Sequence, residues 1–300
     1  MKQVSDVIKK AKKLAAARLV VAAAHDEYVI EAVNNALELG FVHPILIGNS
    51  KEILRIIEEK KYDEKSYLII DANDDFESAE LSVKLIKEKN ADILMKGLID
   101  TNILLKAVVN RETGIREAKL LSHVALLSYH KLNRVLFATD CAMNIAPDAN
   151  QKILILENVL KLTKALGYKN PLVGIVSAVE KVNLKMASTV DAQIIKEEFL
   201  KGNIIDCVVD GPFAVDNLVS MEAVKHKGIN SLVAGKADIL LMPNIEAGNV
   251  FYKTSVFLAH AETAGIIIGA KAPIILTSRA DSAEAKLFSI ALGMVMYHES

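Results

Sequence analysis

The sequence predicts an α/β protein made of two lobes, each with a mostly parallel sheet. Three observations carry that prediction. Short apolar runs alternate along the chain with amphipathic stretches of helical period, which is the pattern of strand and crossover helix. The runs are continuous rather than alternating, as expected for strands buried on both faces. The 300 residues, 52% of them hydrophobic, exceed what a single core usually serves.

Taken in order, the elements are as follows. Val4, Val7, Ile8, Ala11, Leu14 and Ala15 share one helical face with lysines opposite, and Arg18 separates this helix from a strand that starts at Leu19. The lysine-then-alanine start therefore reads as an amphipathic helix rather than a secretory leader. Leu19–Ala24, Pro44–Gly48, Leu68–Asp71, Ile93–Lys96 and Val135–Thr139 read as strands. A helix from about Asn150 to Leu166 is stopped by Gly167, a residue suited to the left-handed end of a helix. Leu172–Ser177, Ile204–Val209, Ile239–Met242 and Ile274–Thr277 continue the strand series. Asp281 with Glu284 resembles a capping box that opens the last helix. The lobe boundary falls near Cys141–Asp148, giving a first domain of residues 1–140 and a second of residues 141–282.

Composition narrows the function. Lysine plus arginine number 36 against 37 acidic residues, and without a basic block the chain shows neither a nucleic-acid footprint nor a membrane-surface patch. No apolar run approaches the roughly 18 residues of a membrane span. Cys141 and Cys207 are far apart and fit neither a disulfide framework nor a zinc cluster, which points to the reducing cytoplasm. The seven histidines are scattered, so no metal site is predicted. Gly235-Lys236 lacks the Ser or Thr of a P-loop, no GxGxxG follows the first strand, and a GxSxG nucleophile elbow is absent.

The loops after the strands collect the polar residues: MKGLIDT (Met95–Thr101), TDCAMNIAPD (Thr139–Asp148), DGPFAVD (Asp210–Asp216) and MPNIEAGNVFYK (Met242–Lys253). Gly97, Gly211 and Gly248 permit close backbone approach. Ser278 and Arg279 lie between a strand and a helix, where free N–H groups and the helix dipole favour an anion and a guanidinium can grip phosphate bidentately. Ligands of open α/β sheets bind at such carboxyl ends.

In this order, and most specifically at Met95–Thr101, Thr139–Asp148, Asp238–Lys253 and Pro273–Ser282, the chain resembles the phosphate acetyl/butyryltransferase family, nearer its butyryltransferase branch. The resemblance covers nearly the whole chain. It implies reversible transfer of a short acyl group from CoA to phosphate, with acyl-CoA and phosphate as substrates and no cofactor. It also implies two α/β/α lobes around a cleft, as in isocitrate and isopropylmalate dehydrogenases, with homodimerisation and a C-terminal helix, residues 283–300, that returns to the first lobe.

Within that resemblance Arg279 holds phosphate and Ser278 donates to the thioester oxygen or the departing thiolate. Asp281 and Glu284 are the candidates for the base acting on the CoA thiol, and both also read as helix caps. Lys96, Gly97, Thr101, Asn244, Gly248, Asn249 and Lys253 are the substrate-binding candidates, and Asp140, Asn144 and Asp148 shape the cleft. Lys106 stands where acetyltransferases carry an arginine, while Ala280 and Ala285 depart from the acetyltransferase pattern. The alternatives are an acetyltransferase, a dehydrogenase of the same fold, and a CoA-binding protein without turnover.

Overall fold

The computed structural model describes residues 1–277 and 281–299; Ser278 and Arg279 lie outside the described residues. Contacts divide the chain into two compact units. One is split in sequence, Ser5–Lys119 with Thr263–Ser300, and the other is nearly continuous, Leu120–Glu262 with Met1–Val4.

The split unit begins with α1 (Asp6–Ala11), β1 (Ala17–Ala22), α2 (Glu27–Glu38), β2 (Val42–Gly48), α3 (Ser50–Glu59), β3 (Leu68–Asp71), α4 (Asp75–Lys87), β4 (Ile93–Lys96) and α5 (Thr101–Val109). Each helix from α2 to α5 opens on an Asp or Asn whose side chain accepts a first-turn N–H: Asp26 from Val29, Asn49 from Glu52, Asp74 from Glu77 and Asp100 from Asn102. These caps satisfy donors that the helix itself leaves orphaned. β1 pairs in parallel with β2 on one side and β4 on the other. That double pairing explains the unbroken apolar run Leu19–Ala24, which is fully buried.

The continuous unit contains β5 (Ser122–Ser128), β6 (Val135–Thr139), α6 (Ala149–Ala165), β7 (Leu172–Val176), α7 (Ala187–Leu200), β8 (Val208–Phe213), α8 (Val215–Val219), α9 (Met221–Lys227), β9 (Ile239–Leu241) and α10 (Ile245–Phe257). Its strands run in the order β5-β6-β9-β7-β8, parallel apart from the β5–β6 hairpin. Leu136, Ala138, Val176, Leu218, Val233 and Leu240 are among the side chains of its core.

The chain then returns to the split unit with β10 (Glu262–Ile268), β11 (Ile274–Ile275) and α11 (Ala283–Glu299). β11 pairs in parallel with β4 and antiparallel with β10, completing the order β3-β2-β1-β4-β11-β10. α11 packs against α1, α2, β4 and β11, which is why eleven of its residues are buried and its apolar pattern runs all round.

Three sequence expectations change. The units divide at residues 119/120 and 262/263, not at 140/141 and 282/283, because β5 and β6 hydrogen-bond toward β9 while β11 is anchored on β4. β5 and β10 are strands that the sequence pattern did not announce: Ser122, His123 and Ser128 punctuate one, and Thr263 and Gly265 thin out the other. The strand expected over Ile204–Val209 is shifted to Val208–Phe213, so Asp210–Phe213 is sheet rather than loop. Pro212 is tolerated there because β8 ends the sheet and its pairing with β7 already carries a register shift, so the missing N–H costs no ladder bond.

Candidate functional site

In the split unit, β1 and β4 are neighbours, but the chain leaves β1 toward β2 on one side and β4 faces β11 on the other. Such a reversal opens a crevice at the carboxyl ends of the strands, where ligands of open α/β sheets bind. A small recess lies there, lined by Asp26, Val29, Lys96, Gly97, Leu98, Thr277 and Lys286. Gly97 makes the approach possible. Its N–H donates to the Ala22 carbonyl at 2.8 Å and the Leu98 N–H to that of Ala23 at 2.7 Å, and a Cβ on Gly97 would lie 2.2 Å from the Ala23 oxygen.

Two ammonium groups are buried at this place. Lys96 is 6% exposed and its Nζ donates to the Gly97 carbonyl at 3.3 Å. Lys286, on α11, is 2% exposed and donates to the Asp281 carbonyl. Burial pushes the Lys286 ammonium below the usual lysine range, against the opposing pull of Asp281 and Asp26, since desolvation disfavours the charged form. Asp281 is itself buried. It does not cap α11: the Ser282 hydroxyl accepts the Ala285 N–H at 3.1 Å, and Glu284 is exposed. The expected Asp281–Glu284 capping box is thus replaced by Ser282, whose oxygen sits at the right distance from the third helical N–H.

Thr101 is the first residue of α5, which Asp100 caps, and Lys106 is exposed in its last turn. There its charge complements the helix dipole.

In the continuous unit, the carboxyl end of β6 carries a buried carboxylate. Asp140 Oδ1 accepts the N–H groups of Ala142 at 2.8 Å and Met143 at 2.9 Å, and Oδ2 accepts Asn144 Nδ2 at 2.6 Å. Asn144 Nδ2 also donates to the Leu121 carbonyl at 2.9 Å. α10 closes on this loop: a Cβ on Gly248 would meet the Asp140 carbonyl oxygen at 2.3 Å, and Asn249 Nδ2 donates to the Cys141 carbonyl at 3.4 Å. Asn244 caps α10 and Asp148 caps α6 in a reciprocal box with Gln151. Lys253 lies over the rings of Tyr252 and Phe257, 5.2 and 5.5 Å from their centroids, and Tyr252 meets buried His123 edge-on. Burial pushes the Cys141 thiol far above its usual range, so it is no thiolate nucleophile.

The structure therefore gathers Lys96 and Gly97 in one recess, and Asp140, Asn144, Gly248 and Asn249 in one loop–helix junction. Asp148 and Asn244 act as caps, Asn244 at the start of the helix that carries Gly248, Asn249 and Lys253, with its carbonyl accepting the Gly248 N–H at 3.1 Å, while Thr101 and Lys106 lie on α5. Lys286 and Asp26 escaped the sequence reading. The signal was present for Lys286: one lysine stands in the otherwise apolar face of AEAKLFSIALGMVM, where a charge is costly unless partnered.

Residues 3–85 and 76–294 match the family described as Phosphate acetyl/butaryl transferase. The phosphate butyryltransferase of Clostridium beijerinckii is 42% identical over 295 residues, 98% of each chain. The phosphate acetyltransferase of Thermotoga maritima is 44% identical over 278 residues, 93% of this chain and 94% of that one. The crystal structure of a branched-chain phosphotransacylase from Enterococcus faecalis superposes with a TM-score of 0.85 at 32% identity, covering 94% of this chain and 99% of the other. A 4-hydroxythreonine-4-phosphate dehydrogenase from Klebsiella pneumoniae, at 12% identity and a TM-score of 0.54 over 94% of this chain and 100% of its own, shares the fold alone.

Proposed function

The chain belongs to the phosphate acetyl/butyryltransferase family, and from that premise we propose that it exchanges a short acyl group, butyryl or similar, between CoA and phosphate. The near full-length match to this family carries the reading. A phosphate oxygen attacks the thioester carbonyl, the C–S bond breaks, and acyl phosphate and CoA thiolate leave, the thiolate taking up a proton. The reverse step removes that proton again. No acyl-enzyme is needed, in keeping with the high pKa of buried Cys141.

In this reading Arg279 orients phosphate, Ser278 donates to the carbonyl oxygen or the leaving sulfur, and Asp281 exchanges the thiol proton. The buried position of Asp281, with α11 capped by its neighbour Ser282, supports a chemical rather than a capping role. Positioning and charge complementarity supply most of the rate. Acyl-CoA and phosphate are the only reactants, and the protein works as a cytoplasmic homodimer. The two free, buried cysteines suit a reducing compartment.

The test is release of free thiol from butyryl-CoA with and without phosphate. Phosphate-dependent release supports transfer, phosphate-independent release means hydrolysis, and none leaves a CoA-binding protein. Parallel assays with acetyl-CoA read the branch: a higher kcat/KM for acetyl-CoA places the chain with the acetyltransferases. Extra methylenes change affinity by only about 1–3 kcal/mol, so the preference should be graded.

A further inference from the structure

We propose that the exposed face of α10 is the surface on which a second copy of this chain docks, the two α10 helices pairing antiparallel across a two-fold axis. The proposal rests on the homodimer given above and adds to it a surface and a pairing.

α10 holds more apolar side chain than its own unit covers. Six of its residues are large and apolar, Ile245, Val250, Phe251, Tyr252, Val256 and Phe257, yet its buried positions are Gly248 and Ser255. Gly248 faces the Asp140 loop. Val250 follows Gly248 by two residues and Phe257 follows Ser255 by two, which turns each about 200° round the helix from the buried side. Glu246, Val250, Lys253, Thr254 and Phe257 recur at spacings of three and four, so they form one stripe. Val250 is 65% exposed and Phe257 48%. Apolar side chains exposed singly are ordinary, but two on one helical face make a patch of the kind that marks an interaction site.

Charge and shape choose the occupant. The stripe carries one acid, Glu246, and one base, Lys253, whose ammonium is drawn over the Tyr252 and Phe257 rings, so it selects neither an acidic nor a basic partner. Its own copy fits. A two-fold contact sets one patch against itself, and an axis through the middle of the stripe, beside Lys253 and Thr254, places Val250 of one copy against Phe257 of the other, twice. Each pairing joins a small branched side chain to a large ring, and antiparallel axes oppose the two helix dipoles. Area extends the surface. A stable dimer buries about 800 Å² from each partner, more than one helical stripe supplies, and the patch continues: Leu258, next to Phe257, is 77% exposed, and Leu232, in the loop after α9, is 76% exposed. That loop's Val233 shares one core with Phe251 and Val256 of α10.

The experiment measures mass by sedimentation equilibrium, with circular dichroism to check folding. Wild type should have twice the mass of the chain. Val250→Lys sets an ammonium one turn after Glu246, a favourable helical pair, so the helix survives while the interface gains a buried charge without a partner. Val250→Lys and Phe257→Glu should each raise the dimer dissociation constant at least about 100-fold. The double variant, Val250→Lys with Phe257→Glu, should regain the dimer, because each introduced ammonium then meets an introduced carboxylate across the axis. A monomeric wild type, whatever other protein it binds, overturns the surface, as does a single variant that dimerises as tightly as wild type. A folded double variant that stays monomeric overturns the pairing. Should Phe257→Glu not fold, Val250→Lys alone decides. The masses are read without substrate, which separates the two readings. A chain that transfers no acyl group yet dimerises through α10 loses the reaction and keeps the surface, and an active transferase that stays monomeric does the reverse.

Discussion

Replacing Gly97 by alanine should cost both stability and rate, and the structure sets the size of each. The added Cβ would lie 2.2 Å from the Ala23 carbonyl oxygen and 2.7 Å from that of Ala22. Both obstacles are backbone, so no side chain can swing aside, and the loop must retreat by roughly 1 Å to reach ordinary contact distance. Overpacking of this kind costs about 1–3 kcal/mol. The retreat also stretches the bonds from Gly97 N–H to Ala22 and from Leu98 N–H to Ala23, now 2.8 and 2.7 Å, each worth about 1 kcal/mol. A loss of about 3 kcal/mol is expected. The same displacement moves the end of β4 and Lys96, and a 1 Å misplacement typically reduces turnover about 100-fold. Urea unfolding measures the first quantity and phosphate-dependent thiol release the second. Gly40→Ala is the control, because Gly40 has φ +73 but nothing within 4 Å of a new Cβ, so it should cost about 1 kcal/mol through backbone strain alone and leave the rate intact. Gly97→Ala within 0.5 kcal/mol and twofold of wild type, each about the noise of a surface substitution, would refute the steric argument.

Arg279→Ala should lower phosphate-dependent turnover by about 10²–10³-fold without changing the unfolding midpoint, and Arg279→Lys should restore only part of it because an ammonium lacks the bidentate fork. Near-normal turnover in the alanine variant would remove Arg279 from the reaction. Cys141 and Cys207 are buried, and burial pushes the Cys207 thiol up to about 11, so a disulfide reagent at pH 8 should leave both unmodified until denaturant is added; rapid labelling of the native protein contradicts this. At Asp92, burial pushes the carboxyl up, but hydrogen bonds from the Arg18 backbone N–H, Nε and Nη2 at 2.8, 2.9 and 2.6 Å outweigh it and hold the pKa below the usual range. The folded pKa is therefore the lower one, so the stabilisation is complete above about pH 4, the unfolded value, and is lost as pH falls through the folded value. Arg18 is 41% exposed, which limits the effect to at most about 1 kcal/mol, and Asp92→Asn should lose that at pH 7 and flatten the acid side of the stability curve. An acid limb identical to wild type would show that the pair contributes nothing.

Nine of the eleven strands among the described residues could be read from the sequence, because continuous apolar runs such as Leu19–Ala24 and Ile93–Met95 need two flanking strands to cover them. β5 and β10 could not, since each interrupts its apolar run with residues whose partners lie far along the chain: Ser122 receives a bond from Asn158, and the Ser289 hydroxyl accepts the Gly265 N–H. Site residues were legible where chemistry and turn coincided, as at Lys96-Gly97 and Asp140. Asp148 and Asn244 looked like ligand groups, yet they hold helix ends, a duty that the same short polar side chains perform. Lys286 was legible only as a lone lysine in an apolar stretch, because a helix buried all round gives no period by which to mark the face it belongs to.

The split unit also sets an order of assembly on the ribosome. After residue 119 has been made, β4 pairs with β1 on one side, and its other edge waits for β11, more than 150 residues downstream. Domains commonly fold as they emerge, N-terminal first, but here the later, continuous unit has all its strands before the earlier one can close. The nascent chain must therefore carry an open, apolar strand edge through most of translation, and such edges invite wrong pairing. Arrival of β11 covers that edge, and α11, which follows it in the chain, packs across β4 and β11 and acts as the latch that holds the closing strand in place.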